Sequence, residues 1–441
     1  MSEAVNLPLS AGQAEIWFDE KLNGRGVAYN SAGYLDIRGP LDVPALIAAA
    51  RGMVDEAECT RTRYVEVDGA PRQVVTPLPE LPLTELALTA DEAADWMGAD
   101  LATPFSLDEF PLFRFAVIKV AEDRHFFYMR IHHLLCDGYS QVVFWRRLAE
   151  LYAGVEGTPI PPLSALLDGE RAYEESAAAV KDKDFWAGAF DGTPDLVSLS
   201  TRTASGPEVR GFLRRTDVLS KDTAEALREL ASRSASTWPA VVLSAVAVYT
   251  QRLTGAGDVL LTLPATARMG ATMRAVPGMV ANYLPLRVRV RPHETRAELL
   301  RHTSRELAKA LKHQRYRVSR IRRGMGLAAD DRRPFGPFVN ILPQQTTFPL
   351  GDCEVEVNNL STGLIEDLML TVVDAPDGGL EVHLNGNPEL YTDEEAREHL
   401  ARFTAFLDRF ARAGDDEPLA RLDVLDPAER SAGLGATTGA T

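Results

Sequence analysis

Cysteine is scarce in this chain: Cys59, Cys136 and Cys353 are the only three in 441 residues, and no CxxC pair occurs. That argues against a disulfide framework and against a cysteine-ligated zinc site, and it suits a reducing cytoplasm. Long apolar runs are missing too. Nowhere do about 18 consecutive apolar residues occur, and the N-terminal MSEAVNLPLSAGQ has no basic region followed by an apolar one. Neither a membrane span nor a secretory leader is therefore expected. Positive charge is in deficit, with 47 Lys and Arg against 63 Asp and Glu for a net charge of −16, which disfavours a general nucleic-acid binder. The chain has no P-loop for nucleotide and no carrier-protein serine motif, so it is not expected to load its own substrates. No repeat of fixed period is visible. What remains is an ordinary globular composition, 45% hydrophobic and 25% charged, on a chain long enough to favour two packed units over one.

The punctuation of the sequence predicts α/β elements throughout. Ser10 and Gln13 form a capping box that opens a helix running to about Leu22. A strand from Tyr29 to Arg38, a helix capped by Asp42, and a hairpin from Arg61 to Val75 turning at Asp68-Gly69 follow. Thr89 and Glu92 make a second capping box. Leu112 to Val120 and Phe126 to His133 read as paired strands, and Ser140 to Tyr152 as a helix with a core-facing apolar stripe. A helical pattern covers Leu166 to Phe190, and Gly192 to Pro194 marks the clearest internal boundary. Beyond it come strands at Arg210 to Val218, Val259 to Leu263, Tyr283 to Val290, Gly336 to Leu342 and Leu380 to Asn385. Among them lie an almost wholly apolar helix from Trp238 to Leu253 and a closing helix from Thr392 to Phe410. The expected division is 1–175, 176–430, and a small polar linker over 431–441.

The densest chemistry lies in Ile131-His132-His133-Leu134-Leu135-Cys136-Asp137-Gly138. On a strand neighbouring side chains point to opposite faces, so His132 and His133 cannot share one task. This divergence, with no third ligand at a useful spacing, disfavours metal binding. An imidazole at a strand end, followed by a turn and Asp-Gly entering a helix, is instead placed to meet a substrate. A lone histidine here would be read as a satisfied core residue.

It does not stand alone. The pattern HHxxxDG resembles that shared by the condensation domains of nonribosomal peptide synthetases and the wider chloramphenicol acetyltransferase-like superfamily. LPLSAGQAEIWFDEKL (Leu7 to Leu22), CTRTRY (Cys59 to Tyr64), MVANYLPLRV, HQRYRVSRI and RRPFGPFVNIL are similar to further motifs of condensation domains. The likeness runs from Leu7 to about Leu425 and is greatest to the serine-module type of enterobactin assembly, especially in HHLLCDGYS and STGLIEDLML. One departure is Glu58-Cys59-Thr60, where the family carries a leucine before the arginine.

The resemblance implies two acetyltransferase-like lobes in a V-shaped pseudo-dimer with a tunnel at their junction. Donor and acceptor carrier proteins deliver thioesters on 4'-phosphopantetheine arms, no cofactor is bound, and the acceptor amine attacks the donor thioester. His133 is expected to act at the amine, as base or positioning group, with His132 beside it and the Gly138 amide facing the oxyanion. Asp137 is expected to be structural and paired with Arg61. Asn282, Tyr283, Ser361, Thr362 and Gly363 are candidates for the tunnel wall.

The stretch Arg287 to Arg323 holds thirteen Arg or Lys and three Glu. Most of these cations should face water, while Arg315 and Arg320 are candidates for docking an acidic carrier. The donor carrier is expected on a separate protein, an adenylation domain after the linker, and an aryl acyl group of the siderophore type as donor. Other readings share parts of the pattern: an acyltransferase with a soluble acceptor, a recruitment module without chemistry, and an epimerase. Heterocyclising relatives carry aspartate where His132 and His133 stand and are disfavoured.

Overall fold

A computed structural model describes residues 5–24, 26–190, 192, 196–204, 212–327, 335–342, 348–361, 363–375 and 377–425. The expected linker 431–441, Thr362 and the first residues of RRPFGPFVNIL lie outside them. In chain order the first elements are β1 (Val5–Pro8), α1 (Ala11–Asn23), β2 (Asn30–Arg38), α2 (Val43–Glu56), β3 (Thr62–Val67), β4 (Ala70–Val75), β5 (Leu83–Ala87), α3 (Ala90–Leu101), β6 (Phe113–Ala121), β7 (Arg124–His132), α4 (Gly138–Tyr152), α5 (Leu163–Glu174) and α6 (Ala177–Ala189). Then come β8 (Leu213–Leu219), α7 (Lys221–Arg233), α8 (Trp238–Thr254), β9 (Asp258–Ala265), α9 (Gly270–Ala275), β10 (Asn282–Arg289), α10 (Arg296–Lys312), α11 (Val318–Gly324), β11 (Phe338–Leu342), β12 (Glu354–Asn359), β13 (Leu368–Asp374), β14 (Leu380–Gly386) and α12 (Asp393–Arg412).

Helix starts follow the local chemistry. Capping boxes close the first turns of α1, α3, α10 and α12 through Ser10/Gln13, Thr89/Glu92, Thr295/Glu298 and Thr392/Glu395, each satisfying two orphan backbone donors. Asp42 and Asp137 cap α2 and α4 singly.

The chain divides into two compact units, but not at a single point. The first comprises 1–181, 266–282 and 346–364, and the second 182–265, 283–345 and 365–441. The expected contiguous split is therefore corrected: the chain returns twice to the first unit. One return is β12, which pairs antiparallel with β2 from Glu354 opposite Arg38 to Asn359 opposite Gly33. Gly33 permits that approach, since a Cβ there would stand 2.8 Å from the Asn358 carbonyl oxygen.

In the first unit a five-stranded sheet runs β12-β2-β7-β6-β5, and a small sheet runs β1-β4-β3. Its core gathers Leu35, Ile37, Phe115, Phe127, Phe144 and Leu148; burying each such side chain contributes about 1.5–3 kcal/mol. The second unit is built on a six-stranded sheet, β10-β9-β11-β13-β14-β8. Against it α8 buries an unbroken run from Ala240 to Thr250, and α7 and α12 add amphipathic faces through Leu227, Leu230, Phe403 and Phe406. The helical pattern of Leu166 to Phe190 is made of two helices, α5 and α6.

Candidate active site

The site grows from the end of β7. Its last residue, His132, lies opposite Asn30 of β2, and the His133 amide donates to the Tyr29 carbonyl at 2.8 Å, so the ladder carries one residue past the strand. His132 is fully buried between the rings of Tyr29 and Phe105. Its Nδ1 accepts the Leu134 amide proton at 3.1 Å, which places its own proton on Nε2.

His133 takes the opposite tautomer. Its Nδ1 lies 3.1 Å from the Cys136 carbonyl oxygen. A carbonyl only accepts, so Nδ1 carries the proton and Nε2 a bare lone pair. Burial holds the ring's pKa below the ordinary histidine value, with the Cys136 bond opposing that shift, and the imidazole stays neutral. The side chain nevertheless keeps some exposed surface. Gly363, with φ of 83°, packs against it: a Cβ at 363 would stand 3.3 Å from Nε2. The Gly363 amide donates to Ser361 Oγ at 3.3 Å, and that hydroxyl donates to the Asn30 carbonyl at 2.8 Å. Gly363 thus borders His133, and Ser361 ties the segment after β12 to β2.

Asp137 is buried and held wholly by donors of the protein. Its Oδ1 caps α4 by accepting from the Ser140 amide at 3.0 Å and the Ser140 hydroxyl at 2.8 Å. Its Oδ2 accepts the amides of Val280 and Ala281 at 3.2 and 3.1 Å. The charge is balanced by Arg268, whose Nη2 lies 3.0 Å from both oxygens. Arg268 also donates to the carbonyls of Met273, Val276 and Gly278, and the pair is 0% and 2% exposed.

The expected partner, Arg61, is not used. It donates instead to the carbonyls of Val54 and Asp55 at 3.1 and 2.9 Å, because the short 3₁₀ turn Glu58–Arg61 that follows α2 delivers its guanidinium to that helix's end. Removing one member of a buried ion pair typically costs about 3–5 kcal/mol, so Arg268 is the residue on which Asp137 depends.

The turn between His133 and Asp137 is clamped from both sides. The Leu134 carbonyl accepts from Gln13 Nε2 at 3.1 Å and from Tyr64 Oη at 2.9 Å. Gly138 follows as the exposed first residue of α4, where its amide has no intrahelical acceptor. Asn282 is buried in the first unit. Tyr283 belongs to the second unit, where it meets Phe338 edge-on at 5.2 Å. Arg315 and Arg320 also lie in the second unit, after and within the end of its helical pair α10 and α11. Arg268 was not singled out from sequence, and Tyr64 was read only as the end of the CTRTRY motif. Gln13 was read only as a helix-capping residue. Among the described residues no group of three His, Cys, Asp or Glu side chains is arranged to hold a metal ion, and no helix is long and apolar enough to cross a membrane.

The chain was compared with known proteins. A profile of the family described as "Condensation domain" matches residues 3–432. The dimodular nonribosomal peptide synthase of Bacillus subtilis (strain 168) is 33% identical over 434 residues, covering 96% of this chain and 18% of that protein. Enterobactin synthase component F of Escherichia coli (strain K12) is 30% identical over 427 residues, covering 92% of this chain and 32% of that protein. The chain thus spans a third or less of the curated relatives it matches. Among solved structures, a variant of the starter condensation domain of rhizomide synthetase, in complex with C8-CoA and Leu-SNAC, superposes with a TM-score of 0.87. It is 31% identical, with 96% of this chain and 98% of that one covered. With the HHxxxDG turn built as described and the family profile spanning almost its whole length, the chain belongs to the condensation domain family of nonribosomal peptide synthetases, whose members catalyse amide bond formation.

Proposed function

We propose that the His133 site joins an acyl thioester to the α-amine of an aminoacyl thioester, both delivered on phosphopantetheine arms of carrier proteins. The observation that carries this reading is the tautomer of His133. A neutral imidazole with Nδ1–H tied to Cys136 presents a bare Nε2 lone pair, which is what an attacking ammonium-derived amine needs as it sheds its proton. The amine nitrogen forms the C–N bond, the thiolate leaves with the donor's arm, and His133 accepts the amine proton and returns it to the sulfur. Correct alignment of the two arms contributes much of the remaining rate, about 7–11 kcal/mol in favourable cases. The Gly138 amide, at a helix start, faces the developing oxyanion. Asp137 and Arg268 hold the turn and take no part in proton transfer.

Likeness to enterobactin synthase component F supports an aryl acyl donor on a separate carrier, an amino acid as acceptor, and an adjoining adenylation domain. Asn282, Ser361 and Gly363 of the first unit are proposed to meet the substrate, and Arg315 and Arg320 are proposed for carrier docking. The test uses one acylated and one aminoacylated carrier, weighed intact after incubation. Transfer of acyl mass to the acceptor carrier, abolished in His133→Ala, is the expected result; transfer undiminished in that variant refutes the assignment. Competing aryl, fatty-acyl and aminoacyl donors in one mixture should select the aryl carrier. Preference for another donor removes the siderophore reading.

A further inference from the structure

We infer that Glu20 is a positioning residue for the condensation reaction, acting on His133 through His132. This rests on the reading of His133 as the reactive group. The observations are local. His132 Nε2, which carries that ring's proton, lies 3.6 Å from Glu20 Oε1, with the two side chains 0% and 12% exposed. Both atoms are buried, and among the described residues neither has a hydrogen-bond partner. A buried N–H donor and a buried carboxylate oxygen, each lacking any other partner, are one small shift from a hydrogen bond, and leaving either unmade is costly.

Helix geometry shows why Glu20 is the residue in place. Gln13 and Glu20 are seven apart on α1, two turns along one face. From that face Gln13 grips the Leu134 carbonyl, while Glu20 faces His132. His132 in turn accepts the Leu134 amide through Nδ1, and its carbonyl accepts the Leu135 amide at 2.9 Å. These bonds shape the turn that brings the Cys136 carbonyl to His133 Nδ1. Glu20 therefore anchors the far side of the His132 ring, keeps Nδ1 turned to Leu134, and so preserves the turn on which the aim of the His133 lone pair depends.

The test compares Glu20→Ala with Glu20→Gln in the full chain, because a glutamine carbonyl accepts the same Nε2–H without charge. Glu20→Ala should lower kcat on the order of 10- to 100-fold, the scale of small misplacements at a reacting centre, with KM for both carriers within about threefold of the parent. Glu20→Gln should restore kcat to within about threefold of the parent. A readout independent of turnover is the imidazole N–H resonance of His133 in ¹⁵N-histidine-labelled protein without substrate. It should broaden or shift in the alanine variant and return in the glutamine variant.

Parental kcat in Glu20→Ala, a raised KM with unchanged kcat, or an unperturbed His133 resonance overturns the inference. So does a glutamine variant as slow as the alanine one. Should the alanine variant fail to fold, the glutamine variant decides alone, and loss of either its turnover or its resonance counts against Glu20. His133→Ala separates the two levels: if that variant is fully active the proposed function fails, while the resonance experiment still reports whether Glu20 holds the turn.

Discussion

In the first unit His133 gives its Nδ1 proton to a backbone carbonyl, whereas in the second His313 turns Nδ1 to the carboxylate of Asp182 at 2.7 Å. The His313 ring also stacks on Phe185, centroids 4.0 Å apart at 16°, and its own carbonyl accepts from Trp186 Nε1 at 3.0 Å. One histidine has a neutral partner and a Nε2 bordered by glycine. The other has a carboxylate partner and a face covered by an aromatic ring, at the C-terminal end of α10. The pair teaches that residue type alone does not set an imidazole's surroundings, since the partner of Nδ1 is a carbonyl at one and a carboxylate at the other.

The comparison is broken most severely at His133. Replacing it with alanine should cost about 10²- to 10⁴-fold in kcat, the range for loss of a proton-transfer group, with the thermal melt preserved; single-turnover transfer between carriers measures it. Next comes the support. Arg268→Ala should destabilise by about 3–5 kcal/mol because Asp137 is left charged and buried. Arg61→Ala, which loses only bonds to carbonyls, should cost about 1 kcal/mol. Urea denaturation of the two variants checks this, and equal losses would contradict the observed pairing.

His313→Ala should lower stability by about 1–2 kcal/mol through the lost stack and ionic hydrogen bond. The folded enzyme should keep its kcat, the reverse of His133→Ala.

The smallest effect is in pH. Burial depresses the pKa of His125, His133, His302, His383 and His399 below the ordinary value of 6.5. Just below 6.5 the unfolded chain binds more protons than the native one, so stability is intact above that pH and declines as pH falls through it. The urea midpoint should therefore decrease from pH 7 toward pH 5, and the decrease should be shallower in His133→Ala than in the parent.

Much of the site was legible in sequence because it is local. Strand alternation separated His132 from His133, and the Asp-Gly step announced a helix start, which Asp137 caps. That Asp137 is buried and paired with an arginine was also expected. Which arginine was not, because a buried carboxylate demands a cation without saying which of many, and Arg268 lies 131 positions away. The strand β12 was missed for a related reason. EVEVNN is short, four of its six residues are acidic or amide, and it is held at a sheet edge by pairing with a strand more than three hundred positions earlier. Helices fared better: a capping residue and an apolar stripe are contained within one segment, as α8 and α12 show.

The separation of Asp137 from Arg268, and the 331 positions between Asn30 and Ser361, have a kinetic consequence. Contacts that close such long loops form late, since chain entropy is lost before they are made. Burial of the nearby Phe127 and Trp145 can precede them. Recovery of condensing activity after dilution from denaturant should therefore lag the recovery of tryptophan fluorescence. A fragment ending before residue 266, however well it collapses, would lack the arginine that neutralises Asp137 and the glycine that packs against His133.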